Sequence, residues 1–372
     1  MAIKQLVTDL GAAIAKAQRY QQSGNLKAAK SVYTDVLKKD PNNAEVLHCL
    51  GCLLEEIGSA SQAIKLLSKA VKINPVAHTY FYNLANMLVR QGDSAGAIPH
   101  YREAIRLKRD YAIAHYNLGR VMSGFGRRTE AKACFQSAIQ SKVNFAESYN
   151  CLSLELKYEG DLDGAVNACR EAIRIKPDFA DAHCNLGGAY LLMQRLPEAM
   201  EAYRDAVKFQ PHNAKYHSNL GGVLLRLGKQ REAIVSFENA LQIDPIDAFT
   251  RSNLILASSY VTASAGALQL QTAKWDRIHA MPLRGAVLPH RNIPDPQRQL
   301  RVGYVSGDFR NHAAAYWIEP LLAALHNVDF AVVCYSNSAR VDAVTERIKS
   351  FAHQKISLEI RASFSSEQSS LR

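Results

Sequence analysis

Small, aromatic and polar positions recur along the first two-thirds of this chain at one fixed interval. Ala29, Ala63, Ala97, Ala131, Ala165, Ala199 and Ala233 are each 34 residues apart. Ala70, Ala104, Ala138, Ala172, Ala206 and Ala240 follow seven residues behind their partners. A bulkier slot holds Tyr33, Leu67, Tyr101, Phe135, Cys169, Tyr203 and Phe237. Gly24, Gly58, Gly92, Gly126, Gly160 and Gly228 fall five residues before their alanines, and Gln194 breaks that series. Pro41, Pro75, Pro177, Pro211 and Pro245 close five units, while Arg109 and Val143 fill the other two places. A fixed period of 34 residues is the signature of a helix–turn–helix solenoid.

The slots have physical reasons. Glycine reaches positive φ without steric cost and ends the first helix of each unit. Alanines seven apart share one face of the second helix, where only small side chains let two helices approach closely. Proline stops that helix. No unit can bury its apolar face alone, so neighbours stack into one core. The unit resembles the tetratricopeptide repeat: Asn185-Leu186-Gly187-Gly188-Ala189-Tyr190, then Ala199, Tyr203, Ala206 and Pro211, nearly completes that family's pattern. The resemblance implies a right-handed superhelix over residues 1–260. Seven repeats run from about 10 to 247, and a degenerate helix starts near Ala248.

The period fails after Tyr260. Residues 261–285 still read as helical, and Pro289 to Pro296 reads as an extended linker, so 261–298 is expected to be a connector. Alternating elements follow. Strands are predicted at Leu300–Val305, Phe330–Tyr335 and Lys355–Ile360, with helices at His312–Leu325 and Asp342–Ala352. This is the start of a parallel α/β sheet. Residues 361–372 are Ser-rich and read as a polar tail. The predicted fold class is therefore mainly α: a solenoid followed by a small partial α/β segment at 299–360. About 70 residues is marginal for an independent core. Parallel strands also need cover on both faces. The strand at 330–335 is thus expected to offer an exposed apolar edge. The segment would then dock on the helices at 260–285 or oligomerise through Val332 and Val333.

Repeats followed by Leu300-Arg301-Val302-Gly303-Tyr304-Val305-Ser306-Gly307-Asp308-Phe309-Arg310-Asn311-His312 resemble the O-linked N-acetylglucosamine transferase family, including its bacterial and SPINDLY-like plant members. Val333-Cys334-Tyr335-Ser336 matches that family's second strand. The resemblance implies the first corner of a GT-B glycosyltransferase that moves a sugar from a nucleotide donor to Ser or Thr hydroxyls. It also implies a catalytic role for His312, in the first strand-to-helix turn, as an active-site base. The family's donor-binding lobe has no counterpart after Gln299. The expected function is therefore a protein-binding scaffold that is catalytically incomplete alone. The alternative is a protein O-linked N-acetylglucosamine or fucose transferase, which would take a UDP-sugar only with that lobe supplied.

Composition narrows the rest. The chain is 48% hydrophobic and 21% charged over 372 residues, as a folded soluble protein is. No stretch approaches the ~20 apolar residues of a membrane span, and the start lacks a leader's layout, so no membrane partner and a cytoplasmic location are expected. The seven cysteines read as small buried hydrophobes in a reducing compartment, and no metal or cofactor is expected. The net charge of +11 is spread over helix surfaces without a stacking platform, which argues against nucleic acid.

One polar residue obeys the register. Asn83, Asn117, Asn185, Asn219 and Asn253 each precede the leucine of a first helix, with Ala15, Cys49 and Cys151 in the remaining units. In superhelices of this family the slot faces the concave groove. A side-chain amide there can pair with the N–H and C=O of an extended peptide, and asparagine is otherwise a poor helix former. The competing reading is that each amide bonds to the neighbouring repeat. Glu45, Thr79, Ile113, Glu147, Asp181, Lys215 and Phe249 occupy the second slot of these helices, which argues against a basic clamp for a terminal carboxylate. His115, His183 and His217 share a slot and read as packing residues.

Overall fold

The computed structural model describes residues 2–261, 265–286, 300–306, 308–325, 330–336, 341–351 and 354–357. The chain divides into two compact units, Met1–Ala286 and Val287–Arg372. The first unit begins with seven helix pairs: α1 (Ala2–Gln22) with α2 (Leu26–Lys39), α3 (Ala44–Glu56) with α4 (Ala60–Ile73), α5 (His78–Arg90) with α6 (Ser94–Leu107), α7 (Ala112–Gly124) with α8 (Arg128–Ser141), α9 (Ala146–Glu159) with α10 (Leu162–Ile175), α11 (Ala180–Leu192) with α12 (Leu196–Phe209), and α13 (Ala214–Arg226) with α14 (Gln230–Ile243). A single helix, α15 (Ala248–Val261), packs on the last pair. Then come α16 (Ala265–Trp275), a π-helical turn at Asp276–Ala280 and a 3-10 turn at Met281–Ala286. The first repeat starts earlier than its register suggests, because α1 extends back to Ala2.

The slots do what their chemistry predicts. The six register glycines have φ between 72° and 87°, and Gln194 takes the same left-handed place at φ 61°. The seven alanines spaced by 34 are at most 1% exposed. Each second helix also closes alike: the N–H of Asp40, Asn74, Lys108, Lys142, Lys176, Gln210 and Asp244 reaches the carbonyl four residues back. A further small slot holds the pairs together. A Cβ added to Gly119, Gly187 or Gly221 would lie 2.6–2.9 Å from the ring of Phe135, Tyr203 or Phe237. The aromatic side chain lies directly against the glycine, so backbone and ring share one space.

In the second unit, β1 (Leu300–Ser306), α17 (Ala315–Leu325), β2 (Phe330–Ser336), α18 (Ala343–Phe351) and β3 (Gln354–Ser357) alternate. The sheet is parallel with order β1-β2-β3, Leu300 lying opposite Phe330 and Val333 opposite Gln354. Phe309, Leu322, Val332 and Ile348 form its core. Two expectations are corrected. The 330–335 strand is no edge: β3 pairs on its far side, and Val332 and Val333 are buried. Association through those valines therefore has no surface to use. The helix predicted from His312 begins at Ala315, because residues before it are held in a turn, with Ala315 N–H on the His312 carbonyl and Asn311 N–H on the Asp342 carboxylate. The proline-rich linker and the tail at 361–372 lie outside the described residues.

Candidate peptide-binding face

The slot of Asn83, Asn117, Asn185 and Asn219 lies two places before the small residue of its helix, Asn253 lies two before Ile255, and all five side chains are half-buried. Their amide nitrogens reach back to the previous repeat, each to the residue 35 positions earlier. Asn83 Nδ2 donates to His48 Nε2 (2.7 Å), Asn117 Nδ2 to Tyr82 Oη (3.1 Å), Asn185 Nδ2 to Asn150 Oδ1 (2.8 Å) and Asn219 Nδ2 to Cys184 Sγ (3.4 Å). Asn117 also donates to Asn86 Oδ1 at 3.0 Å. Asn253 has no such bond among the described residues. Sequence left open whether these amides face a ligand or a neighbour, and the nitrogens face the neighbour. An amide is planar, so fixing its nitrogen fixes its oxygen. No Oδ1 of the five accepts a hydrogen bond among the described residues. The arrangement is a row of four oriented acceptors, in repeats three, four, six and seven, interrupted by Cys151 in repeat five.

Around Asn117 this face opens into a cleft of about 660 Å3, lined among others by Tyr82, Asn86, Arg90, Ile113 and Arg120. Tyr101 Oη donates to Asn86 Oδ1 at 2.6 Å and closes its floor. Sequence reasoning passed over Arg120 because it does not repeat, and over Arg90 because its place holds arginine again only at Arg226. The places equivalent to Arg120 hold Cys52, Asn86, Leu154, Gly188, Gly222 and Leu256. The departure from register was the available signal.

The other polar candidates are structural. Nε2 of His115, His183 and His217 each bonds a carbonyl six residues back at 2.9 Å, and Arg251 plays the same part in the next repeat. Among the described residues no group of three His, Cys, Asp or Glu side chains could hold a metal. Burial pushes all seven thiols up, those of Cys52, Cys134, Cys151 and Cys169 to about 11. None is a thiolate nucleophile near neutral pH.

His312 sits between β1 and α17, at the carboxyl end of the sheet where ligands of α/β folds bind. Its Nδ1 accepts the Ala314 N–H at 3.2 Å and lies 3.8 Å from Asp308 Oδ2. In the neutral ring this puts the proton on Nε2. A nearby cleft of about 320 Å3 is lined by Tyr304, Ser306, Phe309, Trp317 and Leu321, and His312 is not part of its wall.

Family patterns for the "TPR repeat" match residues 85–123, 154–194 and 189–228, and patterns for the "Tetratricopeptide repeat" match 20–87 and 214–247. A Petunia hybrida protein, "Probable UDP-N-acetylglucosamine--peptide N-acetylglucosaminyltransferase SPINDLY", is 43% identical over 58 residues, 16% of this chain and 6% of that one. A Thermobaculum terrenum O-GlcNAc transferase mutant aligns at TM-score 0.47 and 32% identity, over 57% of this chain and 41% of the other. A chain of the APC/C hetero-tetramer Cut9-Hcn1 aligns at TM-score 0.51 and 21% identity, over 65% of this chain and 48% of that one. The chain thus spans a small part of the curated relatives it matches.

Proposed function

We propose that this chain, a tetratricopeptide-repeat scaffold resembling the N-terminal part of the O-linked N-acetylglucosamine transferase family, binds extended peptides along its asparagine face. The observation that carries the reading is the row of Oδ1 acceptors at Asn83, Asn117, Asn185, Asn219 and Asn253. Four of the five are oriented by a bond to the preceding repeat. In this reading the backbone N–H groups of a peptide donate to the row, and recognition depends little on sequence. Preorganised acceptors lower the ordering cost of binding. The scaffold spans 1–260, with 261–298 as connector and 299–360 as the transferase-like segment. Seven thiols held above neutral pKa suit the reducing cytoplasm.

The test is capture of a randomised peptide library by the full chain and by two variants. Asn185→Ala with Asn219→Ala should weaken capture. It should also cost stability, about 0.5–1.5 kcal/mol per lost bond, since Asn150 loses its donor. Asn253→Ala should weaken capture of peptides reaching the last repeat with little change in stability. Unchanged capture in both would make the row purely structural.

Transfer of a sugar to Ser or Thr is the second reading, favoured by the segment from Leu300 to His312. A nucleotide-sugar crevice in such a sheet lies where strands extend to both sides of the first. Among the described residues they extend to one. The 372-residue chain is therefore expected to give no specific heat with UDP-N-acetylglucosamine in calorimetry; micromolar affinity would make the transferase reading the primary one.

A further inference from the structure

The proposed peptide face is not uniform: one of its clefts carries charge. The cleft between α5 and α7 is lined by two arginines and by no aspartate or glutamate. Arg90 is paired with Glu55 of the preceding repeat. Arg120 has no ion-pair partner among the described residues; its guanidinium is held 5.8 Å from the ring centre of Tyr116, one turn back on α7. It is solvent-exposed at the cleft wall. Beside it, Asn86 Oδ1 is already saturated by Tyr101 and Asn117, so Asn86 presents its nitrogen as a donor. Tyr82 Oη accepts from Asn117 and has its own hydrogen to give. Ile113, 36% exposed, supplies an apolar wall.

The lining of this cleft thus combines donors and positive charge with hydrocarbon. We infer that it is a side-chain subsite for an acidic residue of the bound peptide, its carboxylate on Arg120, Asn86 and Tyr82 and its methylenes against Ile113. The inference rests on the peptide-binding reading above and adds selectivity to it at one position. Arginine suits the task because its planar fork matches a carboxylate. Repeats further along lack the charge at this place, with Leu154, Gly188 and Gly222 there. Selectivity should therefore be confined to the stretch of peptide that crosses α5 and α7.

The experiment is selection of a randomised 12-residue display library on the full chain, followed by affinity measurements on synthetic peptides from the selected pool. The selected peptides should carry Glu or Asp at one fixed position. Replacing that residue by Gln should weaken binding roughly tenfold, as loss of a charged hydrogen bond does. Arg120→Gln should abolish the difference between Glu and Gln peptides, and Arg120→Glu should invert it toward Lys. Melting temperatures would confirm that both variants fold, since Arg120 is exposed. A pool that binds without acid enrichment, or a Glu preference that survives in Arg120→Gln, overturns the subsite and leaves the asparagine row intact. A phosphoserine peptide that outcompetes the Glu peptide overturns the carboxylate assignment in favour of phosphate. A library with no binders at all overturns the peptide-binding reading itself.

Discussion

Gln194 is the one non-glycine residue with positive φ among the described residues, and it stands where six other repeats have glycine. Left-handed backbone costs an L-residue roughly 1–2 kcal/mol. Its side chain accepts a bond from Arg226 at 2.6 Å, but on the exposed surface, where such a bond returns little. Gln194→Gly should therefore raise stability by about 0.5–1 kcal/mol, against the usual trend for glycine substitutions. A denaturation midpoint that moves down would show that the turn is better served by glutamine. His48 offers a second test at this scale. It stacks on Tyr80 with ring centres 4.3 Å apart and accepts from Asn83, and burial lowers its pKa from 6.5 to about 4. Between those values the unfolded chain binds more protons than the folded one. Stability is then full above pH 6.5 and declines as pH falls toward 4, by at most about 3 kcal/mol. His48→Gln keeps a hydrogen-bonding group and removes the titration, so its stability should be flatter between pH 6.5 and 4.5. Parallel pH curves for the two proteins would contradict this.

Among the elements, α9 departs furthest from its siblings. Its place equivalent to Leu53, Met87, Val121 and Val223 holds Glu155, which is 2% exposed. Ser123 donates to one carboxylate oxygen at 2.5 Å and Arg128 to the other at 3.2 Å. Arg128 in turn lies over the Tyr158 ring at 3.7 Å. Ser148, Asn150 and Ser153 are buried on the same helix, and the apolar core thins here, with Leu156 packing against both the cluster that ends at Leu152 and the one that begins at Ala165. A buried carboxylate that loses its cation is costly, whereas an apolar replacement of similar volume is tolerated. Arg128→Ala should cost about 1–3 kcal/mol, less than a fully buried pair because Arg128 is 40% exposed. Glu155→Met should be neutral or stabilising in urea denaturation. A large loss in Glu155→Met would mean that the polar junction is itself required for folding. The pattern shows how far sequence reaches. Alanine, glycine and proline slots are local in cause, and each was readable from spacing. The partners of Glu155 and of the asparagines come from a repeat about 30 residues away, and spacing alone does not say which atoms meet. Strand order was illegible for the same reason. The residues of β2 look alike whether β3 pairs beside it or elsewhere; the pairing removes the edge from Val333 onward, while Phe309, Leu322 and Ile348 pack around Val332.

For the molecule as a whole, the central claim is that the solenoid reads a peptide's main chain through side-chain carbonyl oxygens held in register. Stacked repeats suit this, because repeats three, four, six and seven each contribute one acceptor that the preceding repeat orients. A claim about main-chain recognition is best tested by altering the main chain. One peptide selected on the full chain would be resynthesised with a single backbone N-methyl group at each position in turn. Its affinity would be measured by fluorescence anisotropy for the natural protein and for the Asn185→Ala, Asn219→Ala double variant. Each methyl group removes one N–H donor and leaves the side chains alone. Losses of roughly two- to tenfold, the worth of one hydrogen bond each, are predicted at a few positions about three residues apart, as packed helices about 8–10 Å apart and a rise of about 3.3 Å per extended residue require, and those facing repeats six and seven should vanish in the variant. A methyl scan that is flat on the natural protein, or identical on the two, would contradict it.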